Sequence, residues 1–516
     1  MIDSLAIAVL CIIVGIFALL LSKDLIWLLK AIKYWRQGIR VRYFPFLGFG
    51  KYLENPKKKE GLDDFHQLFK KAGGKKKTEK LILMNGTTTK PVIFVNDKDL
   101  VKEFFQKETQ VSYTSNILNF PNEHTFGFSS DPHRVKRDRG TFAVIFYPEN
   151  LRRRTPQMRA IVQRHLGKIK EEIKKAGVQS KDGKLQAEIE LRPHLRDIFN
   201  DLLSFVLFGG EIPEVEGVKL AHQVEIVNDA IFRNFTSPLH LVTQGLSTRL
   251  GFDSEYNHAK ILFKTVIKKL KEVIRERENS KTHKFGCNII DLMILKNREL
   301  EAQGKRDQIL NYDQMTHTIF SMIFAGTETT RTLTESTLYK LSTDPELQTK
   351  LREVVRKEVL DSGNGDDYEK YNNSAPLAAF MKEALRVLGP TSISFQRLVL
   401  KTFKLGKYTI SKGDLVMIPF STLQLNPELF SEGRKFDLKK YEDKRRIRDL
   451  SKSVLIPFSA GQRSCLGKNL ADISFKLIMS NFLDQFELEK SGEPNRRFIK
   501  LTTGMKHCKV RISSLE

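Results

Sequence analysis

The feature that most constrains this chain is the segment 458–467, which places a lone cysteine among glycines and an arginine. It reads Phe-Ser-Ala-Gly-Gln-Arg-Ser-Cys-Leu-Gly and runs directly into a helical pattern over residues 471–486. Cys465 is therefore expected near a helix N-terminus, where free N–H groups and the helix dipole stabilise a thiolate. A thiolate in this position is suited to bind a metal ion.

The neighbours of Cys465 add features of a cofactor site. Gly461 and Gly467 let the backbone come close to a flat cofactor, and Phe458 can pack against the face of that cofactor. Arg463 supplies a planar, permanently charged fork for a carboxylate. For Cys465 taken alone, the alternative is a small buried side chain with no chemical role, because free cysteines are usually buried.

Composition excludes several classes of protein. The four cysteines (11, 287, 465 and 508) include no Cys-x-x-Cys pair, so neither a disulfide framework nor a cysteine-rich zinc site is predicted. The net charge of +25 suits an anionic membrane surface, an acidic protein partner or nucleic acid. No helix-turn-helix, ribonucleoprotein or zinc-finger pattern accompanies this charge, so nucleic-acid binding is not predicted.

The N-terminus predicts a membrane anchor. Residues 5–21 form an uncharged, nearly all-apolar run of 17 residues, close to the length that spans a bilayer. Asp3 precedes this run and Ser22-Lys23-Asp24 follows it, which does not match a cleavable signal peptide. Basic residues then cluster up to Arg42, so the positive-inside rule places the body of the chain on the cytoplasmic side.

The rest of the chain predicts a mainly α fold. Amphipathic patterns cover residues 156–175, 256–278, 312–342, 345–360 and 377–388. Short strands are predicted at 80–84 and 91–96, which pair in a hairpin around Asn85-Gly86, and at 398–405, 407–410, 414–418 and 509–512, with a long loop at 361–374. We therefore expect an anchor (1–29), a basic tether containing Pro and Gly (30–50), and one large helical domain with small peripheral sheets (51–516).

Two further segments carry polar residues inside helical patterns. In Ala325-Gly326-Thr327-Glu328-Thr329-Thr330, a mid-helix threonine can donate to the carbonyl four residues earlier and make room for a small ligand. Taken alone, this cluster is equally typical of a hydrogen-bonded packing contact. Glu383 and Arg386 lie three residues apart, so they share one helix face and can pair. By itself, that spacing predicts only a surface ion pair.

Together, the three segments resemble those of the cytochrome P450 family and occur in the same order as in that family. The resemblance extends from about residue 130 to the C-terminus. The resemblance implies that the Cys465 thiolate binds the iron of haem (iron protoporphyrin IX). It also implies that Glu328 and Thr329 relay protons, and that Glu383 and Arg386 form a buried structural pair. The cofactor-binding residues that it implies are Cys465, Arg463, Phe458, Gly461, Gly467, Ala325 and Gly326.

Other family elements are less regular in this chain. The Trp-x-x-x-Arg element, whose arginine meets a haem propionate, aligns either with Val135 and Arg139 or with His133 and Arg137. We expect the first register, and thus Arg139. Arg397 is a second expected propionate partner, although Gln396 has the commoner spacing. Lys440 occupies a position where the family usually has arginine.

The resemblance implies a membrane-anchored haem-thiolate monooxygenase that inserts one oxygen atom from O2 into a lipophilic organic molecule. Electrons would come from a separate NADPH-dependent flavoprotein reductase, with cytochrome b5 as a further candidate, because the chain has no Gly-x-Gly-x-x-Gly turn. The lysine- and arginine-rich segment 433–448 suits an acidic reductase. The expected location is the endoplasmic reticulum membrane, with a single span and a cytoplasmic catalytic domain.

The substrate is not specified by the sequence, and other functions stay open. Aromatic residues at 113, 120, 126 and 128 lie where the family places a loop over the substrate pocket. One alternative is a haem-thiolate isomerase or dehydratase, and another is a membrane-anchored haem-binding protein without catalysis. A third is a structural protein without haem.

Overall fold

The computed structural model describes residues 15, 25, 27–43, 69, 79–84, 91–107, 111–113, 129, 131–180, 183–209, 214–236, 250–280, 286, 288–361, 365–492, 497–499, 502–505 and 507–515. Apart from Gly15, the predicted anchor at 5–21 lies outside these residues, as do the aromatic positions 120, 126 and 128. Among the described helices, none is both long and apolar enough to cross a bilayer.

Helices form most of the body, as predicted. Residues 27–35 are helical and precede the first strand. The helices that follow are α1 (Lys98–Gln106), α2 (Pro132–Ala143), α3 (Pro148–Ala176), α4 (Leu191–Phe208), α5 (Glu214–Thr236), α6 (Ser254–Asn279), α7 (Ile289–Ala302), α8 (Tyr312–Ser342), α9 (Pro345–Val355), α10 (Asp367–Asn373), α11 (Ala375–Leu388), α12 (Phe420–Gln424), α13 (Lys444–Leu450) and α14 (Lys468–Gln485).

Short strands form small sheets at the periphery. The strands are β1 (Arg40–Arg42), β2 (Leu81–Met84), β3 (Val92–Val95), β4 (Val111–Tyr113), β5 (Val178–Gln179), β6 (Leu185–Glu190), β7 (Arg397–Val399), β8 (Phe403–Leu405), β9 (Tyr408–Ile410), β10 (Leu415–Met417), β11 (Phe486–Lys490), β12 (Arg497–Ile499), β13 (Thr503–Met505) and β14 (Lys509–Ser514). They form a six-stranded sheet in the order β1-β2-β3-β10-β7-β4, a four-stranded sheet β11-β14-β6-β5, and the pairs β12-β13 and β8-β9.

Helix α8 runs through the centre of the helical body. It begins at a capping box, in which the Asn311 side chain accepts from the Gln314 N–H and the Gln314 side chain accepts from the Asn311 N–H. It packs against α4, α5, α6 and α14, and its residues are buried over most of its circumference. A helix buried on nearly all sides belongs to the interior of a large fold. Any open space beside α8 is therefore enclosed by protein.

The structure confirms the predicted pairing of residues 80–84 with 91–96, since β2 and β3 are antiparallel with Leu81 opposite Val95. Three expectations were wrong. The predicted strand at 398–405 is two strands in different sheets, β7 and β8. The pattern starting at 156 belongs to α3, which begins eight residues earlier at Pro148 and contains Pro156. The predicted loop at 361–374 contains α10, because Asp366 caps that helix and two of its own side chains, Tyr368 and Tyr371, are buried.

Candidate functional site

The loop around Cys465 is folded tightly against the main core. The Cys465 N–H donates to the Phe458 carbonyl at 2.8 Å, which closes the loop. Residues Gly461–Arg463 form one 3₁₀ turn, and the positive φ of Gly461 (73°) explains the glycine at this position. Phe458 and Leu466 pack against the same core as α8. Helix α14 then begins at Lys468, with Gly467 as its N-cap.

The Cys465 side chain is accessible, yet it lies deep in the protein. Burial raises the pKa of its thiol, and the N–H of Gly467 with the charges of Arg139 and Lys468 offsets only part of this effect. The sequence predicted a stabilised thiolate, and the stabilising groups are present. Loss of solvation outweighs them, however, so the free thiol keeps its proton more tightly than usual. A coordinating metal ion would remove that proton outright.

One stripe of α8 is less buried than the rest of the helix. Ala325 is exposed, and Ser321, Met322, Gly326 and Thr329 are half-buried, whereas the flanking residues are buried. These positions repeat at intervals of about four, so they line one face. Gly326 allows α4 to pack closely against α8, because a Cβ at this position would lie only 2.9 Å from the Leu203 side chain. The stripe therefore faces an open space while α4 approaches beside it.

The two predicted proton-relay residues have different partners. The Thr329 hydroxyl donates to the Ala325 carbonyl at 2.8 Å, as expected for a mid-helix threonine. The Glu328 carboxylate is held by Arg331 and accepts from Thr502 at 3.1 Å and from Thr332 at 3.4 Å. Burial alone would raise the pKa of Glu328, but the charge and hydrogen bond of Arg331 outweigh burial and lower it. Glu328 is therefore an ionised carboxylate at neutral pH.

The arginines around the cysteine loop distinguish the two registers that the sequence left open. Arg139 donates to the Ser464 hydroxyl at 3.1 Å, directly beside Cys465. Arg137 and Arg134 instead contact Asp138, at 2.6 Å and 3.5 Å. Val135 is buried, as the first register expects. This geometry favours Arg139 as the residue that faces the site.

The other predicted arginines lie in different surroundings. Arg463 donates to the Ser129 carbonyl at 3.0 Å, so the cysteine loop is tied to the segment that precedes α2. Arg397 is buried on β7, where it pairs with Val416 of β10 and Tyr113 of β4.

Glu383 and Arg386 form a fully buried pair, with two contacts of 2.7 Å. Arg386 also donates to the carbonyls of Gln424, Gly433 and Lys435, and its guanidinium lies 4.8 Å from the ring centre of Phe430. Glu383 also accepts from the Asp437 N–H at 2.8 Å. The pair thus joins α11 to the segment that leads into the cysteine loop.

Lys440, at the position where arginine was expected, lies 3.8 Å from Glu383. Burial lowers the pKa of Lys440, and the charge of Glu383 acts against that effect. The lysine therefore takes part in the same buried cluster as a third, weaker partner.

Sequence reasoning missed the residues that hold Glu328. Arg331 lies one turn further along α8, and its spacing from Glu328 could have indicated the pair. Thr502 lies far away in the chain, next to β13, and no local pattern indicates its contact with Glu328. Nothing in the sequence pattern connects Ser129 with Arg463 either.

Comparison with known proteins places the whole body in one family. The family model described as Cytochrome P450 matches residues 43–511. The chain is 25% identical over 415 residues to "Cytochrome P450 709B3" of Arabidopsis thaliana, covering 79% of this chain and 76% of that protein. It is 25% identical to "Cytochrome P450 26B1" of Mus musculus, covering 75% of this chain and 71% of the relative. The chain therefore belongs to the cytochrome P450 family of haem-binding monooxygenases.

Proposed function

We propose that this protein inserts one oxygen atom from O2 into a lipophilic substrate, with electrons from a separate NADPH-dependent flavoprotein reductase. The second oxygen atom is reduced to water, which consumes two protons and the two electrons from the reductase. The observation that supports this proposal most directly is Cys465, an accessible thiol deep in the protein, next to two cations and a backbone N–H.

The residues of the site fit haem. Cys465 would be the thiolate ligand. The loop with Gly461, Gly467 and Phe458 and the open stripe of α8, including Ala325 and Gly326, would hold the macrocycle. The cationic forks of Arg139, Arg463 and Arg397 suit its two carboxylates. When bound, haem supplies the activation of dioxygen and the transfer of one oxygen atom.

The protein's own contribution is proton delivery and the exclusion of water. Thr329 can turn its hydroxyl from the Ala325 carbonyl toward the open side of the stripe, because a hydroxyl rotates freely between partners. Glu328 would pass protons toward Thr329, and general acid catalysis of this kind contributes roughly 10²- to 10⁴-fold in rate. The carboxylate must first receive a proton, since Arg331 holds it ionised.

The test is the absorption spectrum of the dithionite-reduced protein under carbon monoxide. We expect a strongly red-shifted Soret band in the wild type and in Cys508→Ala, and its loss in Cys465→Ala. Cys508 is the matched control, because it is the other cysteine among the described residues and lies in the core. A band at the histidine-ligated position in the wild type would contradict the thiolate assignment.

A product assay decides between oxygen insertion and the alternatives. With the reductase, NADPH and labelled dioxygen, we expect one labelled oxygen atom in the product of a lipophilic probe such as a long-chain fatty acid. A thiolate spectrum with rearranged product and no NADPH consumption would instead indicate an isomerase or dehydratase. A thiolate spectrum with no turnover of any probe would indicate a haem-binding protein without catalysis.

The proposed docking site for the reductase is the basic segment 433–448. Exposed cations crowd its surface, and Phe436 and Leu438 pack against the same core as Phe458 and Leu466 of the cysteine loop. An acidic flavoprotein bound here would lie on the cysteine side of the site. The exposed basic residues are Arg434, Lys435, Lys439, Lys444, Arg445, Arg446 and Arg448.

We also propose attachment to the endoplasmic reticulum membrane, with the catalytic domain in the cytoplasm. The helical residues 27–35 are bound to the body on one side, where Tyr34 donates to Asp414 and Lys30 lies 2.5 Å from the same carboxylate. Large apolar side chains of this region stay exposed: Leu25, Leu28, Leu29, Ile32 and Trp35. Such a face, next to the apolar run 5–21, suits the membrane interface.

A further inference from the structure

Arg331 of α8 is the centre of a buried charge network, of which the proposed mechanism uses only Glu328 and its contact with Arg331. Only 4% of its side chain is exposed, and it contacts three carboxylates: Glu328 and Glu335 on α8, and Glu225 on α5 at 3.5 Å. Arg192 of α4 lies 3.4 Å from Glu335 and donates to the Met505 carbonyl. Three ionised carboxylates and two guanidinium groups carry a net charge of −1. One additional proton on a carboxylate therefore makes the cluster electrically neutral.

Glu225 and Glu328 share one nitrogen of Arg331. The Nη2 atom contacts Oε2 of Glu328 and Oε1 of Glu225, so the two carboxylates from different helices are neighbours. Glu225 is one-quarter exposed, whereas Glu335 is fully buried. Glu225 thus combines partial exposure with direct proximity to Glu328, which is itself one-third exposed.

The surroundings of Glu225 raise its pKa above the ordinary glutamate value. Burial raises the pKa of Glu225, the charge of Arg331 lowers it, and the charge of Glu328 raises it again. Glu328, in contrast, has a lowered pKa because it is closest to Arg331. Like charges that share a site do not both ionise readily. The charged groups around Glu225 are Arg331 and Glu328 of α8, Arg196 of α4, and Asp229 and His222 of α5.

We propose that Glu225 is the acid that supplies protons to Glu328, by direct transfer between the two carboxyl groups that share the Nη2 atom of Arg331. In this step the Glu225 carboxylic acid loses its proton, the Glu328 carboxylate gains it, and Glu225 is protonated again from solvent. Arg331 holds both groups in place and keeps its own proton. The inference rests on the proposed role of Glu328 in proton delivery, and it makes α5 part of the relay.

The first test is infrared spectroscopy of the purified holoenzyme, which does not depend on turnover. A protonated carboxylic acid gives a carbonyl stretch that a carboxylate lacks. We expect this band in the wild type at neutral pH, its loss in Glu225→Gln, and its retention in Glu276→Gln. Glu276 is a matched control, because it is an exposed glutamate on α6 and lies outside the network.

The second readout is the pH dependence of unfolding. Because the folded protein holds the Glu225 proton more tightly than the unfolded chain, stability falls as pH rises above the ordinary glutamate pKa of about 4.3. Glu225→Gln removes this contribution. As pH rises to 7, we expect Glu225→Gln to become more stable relative to the wild type. Glu276→Gln should show no such change.

The third readout tests proton transfer itself. With the reductase, Glu225→Gln should slow NADPH-driven oxygen consumption by about tenfold, less than the loss of a direct general acid. Glu225→Asp should restore part of the rate, and Glu276→Gln should match the wild type. Equal rates in Glu225→Gln and wild type would overturn the proposal, as would the absence of the carboxylic band. Either failure is distinct from loss of the thiolate spectrum, which would overturn the proposed function instead.

Discussion

The buried pair Glu383–Arg386 offers the sharpest test of the energetics of this fold. We consider three variants: Glu383→Leu, Arg386→Met and the double variant. The first leaves the Arg386 charge with the carbonyls of Gln424, Gly433 and Lys435 as partners. The second leaves Glu383 with the Asp437 N–H and the distant Lys440 ammonium.

Removing one member of a buried ion pair costs about 3–5 kcal/mol, because the remaining charge is desolvated and unpaired. Arg386→Met should lie at the upper end of this range, since it also removes a donor from the Gln424 and Gly433 carbonyls, whereas the Lys435 carbonyl keeps the Lys440 ammonium as a donor at 2.9 Å. The double variant removes both charges. We therefore expect it to be less destabilised than the sum of the single variants, by about 1–3 kcal/mol.

The measurement is urea unfolding of the holoenzyme, followed by circular dichroism, with the free energy extrapolated to water. Lys350→Met is the control, because Lys350 pairs with Glu346 on an exposed helix face and should change stability by less than about 1 kcal/mol. Two results would refute the reasoning: single variants as stable as this control, or a double variant whose loss equals the sum of the two.

Two surfaces carry predictions of their own. In stopped-flow measurements, charge reversal of Arg445 and Arg448 should slow reduction by the flavoprotein about tenfold at low salt, and the difference should shrink at high salt. The control Lys168→Glu on α3 should leave the rate unchanged. In a chain that lacks residues 1–24, replacing Leu28, Leu29 and Trp35 with serine should lower sedimentation with anionic vesicles by about tenfold or more. Equal sedimentation of that variant and its parent would contradict the membrane-facing role.

The elements that sequence predicted well are those with a local cause. Helix α8 has the bounds expected from its apolar pattern, because the capping box at Asn311 and Gln314 fixes its start. The pairing of β2 with β3 follows from two apolar runs near each other in the chain. Helix α10 was missed because it is short and polar, and its two buried tyrosines become meaningful only once the neighbouring helices are in place.

The candidate site divides in the same way. Cys465, Thr329 and the Glu383–Arg386 pair could be proposed from the sequence, because each depends on spacing within one segment. The contact between Arg139 and Ser464 joins residues 325 positions apart, and sequence could offer only two competing registers for it. The contacts of Arg331 with Glu225 on α5 and of Glu328 with Thr502 beside β13 were missed for the same reason: long-range contacts are set by packing, which no local pattern encodes.

Cys465 and Glu328 together show why the fold has to be known before protonation can be assigned. Both residues have cations nearby, and by that local criterion both should be anions. At Cys465, burial outweighs the Gly467 N–H, Arg139 and Lys468, so the pKa of the thiol rises. At Glu328, the direct contact with Arg331 outweighs burial, so the pKa of the carboxyl falls. A relay through Glu328 therefore needs an acid that the local sequence does not supply, and Glu225 on α5 is placed to be that acid.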